Sequence, residues 1–83
     1  MDRNEVYKTV SEILSKSLLT TKKINESDRL VDDLALDSIG FVELGTGLEE
    51  KYQIDISDEV LESLKTVEMV IEAVLAAPSY AAA

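Results

Sequence analysis

Eighty-three residues, 46% hydrophobic and 30% charged, suffice for one small domain and its modest core. With neither Cys nor His, the chain can hold no disulfide, no thiolate or imidazole metal site and no Ser-His-Asp triad. The net charge of −9 is uneven: residues 1–25 carry five basic and three acidic side chains, residues 26–62 two basic and twelve acidic. Such a field argues against nucleic acid and anionic lipid and suits steering onto basic protein surfaces.

The first helix is expected from Asn4 to Leu18 or Leu19, because Val6, Val10, Ile13, Leu14 and Ser17 recur on one helical face. From Thr20 to Leu36 the period is lost. A connection this long needs anchors or a function. Ile24, Leu30, Val31, Leu34 and Leu36 are its candidate anchors, and Asn25-Glu26-Ser27-Asp28 reads as a side-chain-bonded turn. An EF-hand register started at Asp32 puts Leu34 and Leu36 where oxygen ligands belong and Asp37 where Gly belongs, so no metal site is expected.

The loop turns into a second helix at Asp37-Ser38, expected from Ser38 to Tyr52. Either residue can cap it, since either side-chain oxygen can accept from the free amides of the first turn. A hydroxyl there faces the positive end of the helix dipole, where a phosphate is well placed, although on local chemistry alone Ser38 is simply a cap. Phe41, Leu44, Gly45, Leu48 and Tyr52 form a core stripe. Ile39, Val42, Thr46 and Glu49 or Glu50 form a shallower one beside it, edged by Glu43. Gly40, Gly45 and Gly47 run against helix propensity. Close approach, or room for cargo beside the core, would explain Gly45, whereas Gly47 reads only as tolerated at an exposed site.

Ile54 and Ile56 point inward after this helix. Ser57 can cap a short third helix, Asp58 to about Ser63, with Val60, Leu61 and Leu64 on its buried side. Thr66 can cap a last helix, Val67 to Ala77, which buries Val67, Val70, Ile71, Val74 and Leu75 before Pro78 stops it. No apolar run approaches the ~20 residues that span a bilayer. Met1-Asp2-Arg3-Asn4-Glu5 does not read as a signal peptide, so a cytoplasmic chain is expected.

Leu34-Ala35-Leu36-Asp37-Ser38-Ile39 resembles the 4′-phosphopantetheine attachment motif of acyl carrier proteins, usually Leu-Gly-x-Asp-Ser-Leu. Val31-Asp32-Asp33-Leu34, Phe41-Val42-Glu43-Leu44, Leu48-Glu49-Glu50-Lys51-Tyr52, Ile54-Asp55-Ile56-Ser57-Asp58-Glu59 and Thr66-Val67 extend the likeness over residues 5–76. The resemblance implies an all-α fold, a four-helix bundle of acyl-carrier type with a long first loop and a short third helix. Residues 1–77 would form a single carrier domain and 78–83 a disordered tail. It also implies a free-standing monomeric carrier, not an enzyme and without catalytic residues of its own. Ser38 would bear the covalent 4′-phosphopantetheine, taken from coenzyme A by a phosphopantetheinyl transferase, with Asp37 in support. Ile39, Val42, Glu43, Thr46, Glu49 and Glu50 would meet acyl-activating or acyl-transferring enzymes through basic docking patches, in fatty-acid, polyketide or lipopeptide synthesis.

Several positions depart from the family pattern: Ala35 for the motif Gly, Ile39 for Leu, Gly40 where many fatty-acid carriers have an acid, Thr46 for an apolar residue and Ser57 for Pro. These point toward a dedicated carrier of a specialised pathway. Peptidyl and D-alanyl carriers share the fold and the modified Ser, and an unmodified helical interaction module is the alternative from another class.

Overall fold

The computed structural model describes residues 2–79 and contains four helices: α1 (Arg3–Leu18), α2 (Ser38–Tyr52), α3 (Asp58–Ser63) and α4 (Val67–Ala76). Each starts where a short polar side chain on extended backbone takes up a free amide of the first turn. Asp2 accepts from Asn4 N–H at 3.0 Å, Asp37 from Gly40 at 2.8 Å, Ser57 from Val60 at 3.3 Å and Thr66 from Met69 at 3.2 Å. Both long helices of the first half end on a non-glycine residue in left-handed backbone, Leu19 (φ 52°) after α1 and Gln53 (φ 55°) after α2. α4 stops one residue short of the expected Ala77.

α1 packs against both α2 and α4. It runs antiparallel to α2: the Tyr52 hydroxyl, at the end of α2, donates to Thr9 Oγ1 at 2.8 Å near the start of α1. Val6, Val10 and Leu14 from α1 meet Leu44 and Leu48 from α2 and Val67, Val70, Ile71 and Val74 from α4 in one core. Ile54, Ile56 and Leu64 complete it from the connections. Among the described residues no helix is long and apolar enough to cross a membrane.

The long first connection is held by backbone pairing as well as by side chains. Leu30 N–H donates to Lys65 O at 2.9 Å, Val67 N–H to Asp28 O at 3.0 Å and Glu68 N–H to Glu26 O at 2.9 Å, so residues 26–30 lie along the entry to α4. Asn25 N–H donates to Asp28 Oδ2, the side-chain-bonded turn expected there. Near the other end Tyr7 donates its hydroxyl to the Ile24 carbonyl, and Arg3 pairs with Glu26.

Five packing expectations need correction. Val31 is not an anchor: it is 58% exposed, because its buried neighbour Leu30 takes the inward direction. Val60 and Leu75 are also exposed, so α3 turns Leu61 toward the interior with Leu64 following in the link, and α4 turns Val67, Val70, Ile71 and Val74 with Ala73 beside them. Gly47 is not tolerated by exposure. A Cβ there would sit 3.1 Å from Ile13 Cδ1, so it is the point of close approach between α1 and α2. Of the two explanations for Gly45, close approach holds and room for cargo does not: Leu61 Cδ2 lies 3.2 Å from where its Cβ would be. Of the expected tail, Asp55 N–H donates to Pro78 O at 2.9 Å and Ser79 bridges Ile54, while residues 80–83 lie outside the described residues.

Candidate functional site

The turn into α2 distinguishes two residues that compete for one role in the sequence. Asp37 keeps extended backbone (φ −100°, ψ −178°) and caps the helix, while Ser38 is already its first helical residue. The Asp37 carboxylate takes Gly40 N–H and its carbonyl takes Phe41 N–H at 2.9 Å. Ser38 is therefore not the cap. Its side chain is exposed, and among the described residues none hydrogen-bonds its hydroxyl. The first turn of α2 holds no acidic side chain, so beyond the cap nothing on it opposes an anion at the dipole's positive end.

The approach to this turn is shaped by strain and by charge. Ala35 sits in left-handed backbone (φ 55°), a conformation that Gly adopts without the steric penalty of a Cβ. Leu36 then closes the loop, its N–H donating to Leu30 O at 2.9 Å. Ala35→Gly is expected to stabilise the fold by about 0.5–1 kcal/mol, since relief of ~1–2 kcal/mol of left-handed strain outweighs the ~0.4–1 kcal/mol of added unfolded-state entropy. A rise in the urea midpoint at unchanged slope checks it. Earlier in the loop Arg29 grips Asp33 with both backbone and guanidinium: N–H to Oδ2 at 2.7 Å, Nε to Oδ2 and a terminal nitrogen to Oδ1 at 3.2 Å each. These bonds, with the charge of Lys22 adding, hold the Asp33 carboxyl below its usual range, and Arg29 is raised in return. A lowered carboxyl stabilises the fold above its unfolded value near 4, and that contribution fades as pH falls through the lower folded value.

Beside Ser38 opens a cleft of about 810 Å³ between the loop, α2, α3 and the α3–α4 link. Val31, Phe41, Val42, Leu61 and Leu64 give it an apolar lining, and Arg29 and Lys65 share its rim with Asp32, Asp58 and Glu62. The exposure of Val31 thus has a place in the site, which alternation of polar and apolar residues in a loop could not have revealed. Leu61 and Leu64 were legible only as core.

The expected docking residues follow one face of α2 down from Ser38. Ile39 and Val42 are 70% and 60% exposed, large apolar side chains that a folded domain alone has no reason to leave out. Glu43, Thr46 and Glu50 are exposed around them. Glu49 differs: it is half-buried, and its carboxylate accepts Ile56 N–H at 3.2 Å, holding the link after α2. The described residues fit a phosphodiester-linked arm at this turn, since a spare hydroxyl, a positive helix end and an adjacent apolar cleft are all present.

Residues 4–74 match the family of the phosphopantetheine attachment site. An acyl carrier protein of Buchnera aphidicola is 41% identical over 70 residues, covering 83% of this chain and 89% of that one. One from Saccharopolyspora erythraea is 33% identical over 76 residues, covering 90% and 80%. A solved structure of a proposed acyl carrier protein from Mycobacterium tuberculosis superposes with a TM-score of 0.80 at 31% identity, over 84% of this chain and 95% of that one. The helical bundle is thus of acyl-carrier type, and the cofactor is a covalent 4′-phosphopantetheine. On fold, match and relatives together, this chain belongs to the acyl carrier protein family, whose members carry cargo for other enzymes and do not themselves catalyse.

Proposed function

We propose that Ser38 is the residue that bears the phosphopantetheine and that the chain presents acyl thioesters to partner enzymes from that point. The observation that carries this reading is the division of labour at the turn: Asp37 does the capping, so the Ser38 hydroxyl stays exposed and unbonded at the positive end of α2. Ser38 Oγ would supply the ester oxygen to the pantetheine-side phosphorus of coenzyme A, whose pyrophosphate bond breaks with release of adenosine 3′,5′-bisphosphate. A chain with no His or Cys offers no imidazole or thiolate to take the hydroxyl proton, so the base comes from the phosphopantetheinyl transferase. Asp37 supports the step by fixing where the first turn begins. When bound, the group supplies a flexible arm that ends in a thiol and holds an acyl group as a thioester. Tethering at Ser38 raises the local concentration of that thioester at any enzyme the domain docks on.

Ile39, Val42, Glu43, Thr46 and Glu50 supply the docking face, an apolar centre ringed by carboxylates that suits a basic patch. Glu49 contributes from its half-buried position mainly by holding residues 53–56. The departures at Ala35, Gly40, Thr46 and Ser57 favour a carrier dedicated to a specialised lipid, polyketide or lipopeptide over a housekeeping fatty-acid carrier; a monomeric, cytoplasmic chain goes with the carrier reading. The domain assignment of residues 1–77 goes with this reading.

Intact mass after incubation with coenzyme A and a broad-specificity transferase tests the attachment site. The wild type is expected to gain one phosphopantetheine and Ser38→Ala none. A gain on Ser38→Ala, or no gain on the wild type beside an active transferase control, would overturn it.

A further inference from the structure

We propose that the C-terminal end of α1 is a second docking element, at which Leu19, flanked in sequence by the exposed Lys16, Lys22 and Lys23, seats on an acidic surface with a small apolar recess on the enzyme that receives the arm. The inference rests on the carrier reading above and names the chemistry of the partner. Three observations converge on it.

The first is the oddity of Leu19 itself. It ends α1 in left-handed backbone (φ 52°, ψ 43°), the position where helices favour Gly, and its side chain is 92% exposed. Folding therefore gains nothing from a leucine here and bears its strain. Gln53 ends α2 in the same backbone conformation, and what sets Leu19 apart is a large apolar side chain left almost wholly in solvent at that position. The second is charge. Lys16, Lys22 and Lys23 are all exposed, and none forms an ion pair among the described residues, in a chain whose net charge is −9. A bare leucine among three unpaired lysines fits an acidic rim around an apolar recess.

The third is position. Tyr52 at the end of α2 meets Thr9 early in α1, and Gly47 of α2 faces Ile13 further on. Following the antiparallel pair in the same direction brings the end of α1 to the end of the bundle where α2 begins, at Ser38. Lys22 is near enough to Asp33, in the loop that leads to Ser38, for its charge to act on that carboxyl. Any enzyme that accepts the arm approaches this end, and finds an acidic, apolar α2 face on one side and a basic, apolar knob on the other.

That pairing selects the occupant. An anionic membrane attracted by the lysines would be repelled by a chain whose net charge is −9. A second copy brings its own −9 and would cover the Ser38 turn. An enzyme with a basic patch for α2 and an acidic one for the α1 end satisfies both at once, and a carrier lacking the knob would be discriminated against.

The test uses the full chain loaded with its arm. Val42→p-benzoylphenylalanine captures α2-docking enzymes by photocrosslinking from extract of the source cells, and the organism's own phosphopantetheinyl transferase joins them as a fixed member of the panel. Each enzyme is then assayed with wild type, Leu19→Gly and Lys22→Glu/Lys23→Glu. For at least one, both variants should raise KM roughly tenfold at unchanged kcat, and Leu19→p-benzoylphenylalanine should crosslink to an acidic stretch of its surface. Because Leu19→Gly relieves backbone strain, its urea midpoint should rise, so weaker docking cannot be a folding defect. Unchanged KM across the whole panel would overturn the proposal, as would binding of the knob to anionic vesicles or to a second copy in place of an enzyme. Failure of the wild type to take up phosphopantetheine at Ser38 would instead sink the carrier reading, so the two failures are told apart.

Discussion

Leu30→Ala is expected to lower the stability of the domain by about 3 kcal/mol, several times the ~0.5 kcal/mol or less expected for Val31→Ala one residue along. Leu30 is fully buried although it belongs to a loop, and its backbone is committed on both sides: the N–H to Lys65 O, the C=O to Leu36 N–H. The side chain therefore cannot follow a collapsing cavity without breaking the pairing that joins the loop to the entry of α4. Sites that cannot collapse fully lie above the lower end of the ~2–5 kcal/mol range for Leu→Ala. For a small domain with roughly 5–8 kcal/mol in total, that removes about half. Urea unfolding measures the loss, and amide exchange should show the Leu30 and Leu36 N–H groups losing protection first. What remains, roughly 2–5 kcal/mol, keeps more than about 95% of the chain folded, so uptake of phosphopantetheine should stay near that of the wild type. If both variants cost the same, the loop is not pinned through Leu30.

Those two neighbours also mark what a sequence can and cannot reveal. All four helices were legible because their starts carry Asp, Ser or Thr, and because long stretches keep the helical period. In the loop there is no period, so five apolar residues looked equivalent, yet Leu30 is buried and Val31 lines the cleft. Val60 and Leu75 failed for a related reason. A helix as short as α3, under two turns, repeats no position often enough to mark its own face, and α4 is apolar nearly all round. The chemistry of the attachment turn was visible in Asp37-Ser38, but which residue caps was not, since both side chains can. Backbone conformation decides it: Asp37 is extended and Ser38 helical. The left-handed backbone at Leu19 carried no sequence signal, because the usual marker, Gly, is missing there, and at Ala35 the only hint was the Gly that the family motif has at that position.

Gly40→Asp tests whether another departure from the family pattern is a loss or an exchange. Gly40 is the third residue of α2, and an acid in the first turn of a helix gains about 0.3–1 kcal/mol from the dipole. Adding a side chain to a helical Gly contributes a further ~0.5 kcal/mol. Electrostatics and propensity alone thus predict a more stable protein. Packing predicts the reverse. A Cβ on Gly40 would lie 2.5 Å from Leu36 Cδ1 and 3.1 Å from its Cγ, and 3.3 Å from the capping oxygen of Asp37. Leu36 is itself buried, so it has nowhere cheap to go, and overpacking of this kind costs about 1–3 kcal/mol. Crowding of the Asp37 cap and burial of a carboxylate beside it add to the cost. Packing wins, and the single substitution is expected to destabilise by about 2 kcal/mol. The large residue at position 36 and the small one at position 40 are then two halves of one exchange of volume across the turn that presents Ser38. Leu36→Ala should vacate the space at its own cavity cost, and Gly40→Asp made in that background should be neutral or stabilising. The double-mutant cycle is expected to show a coupling of at least ~2 kcal/mol of favourable sign. Strict additivity would mean that Leu36 does not determine why position 40 is glycine.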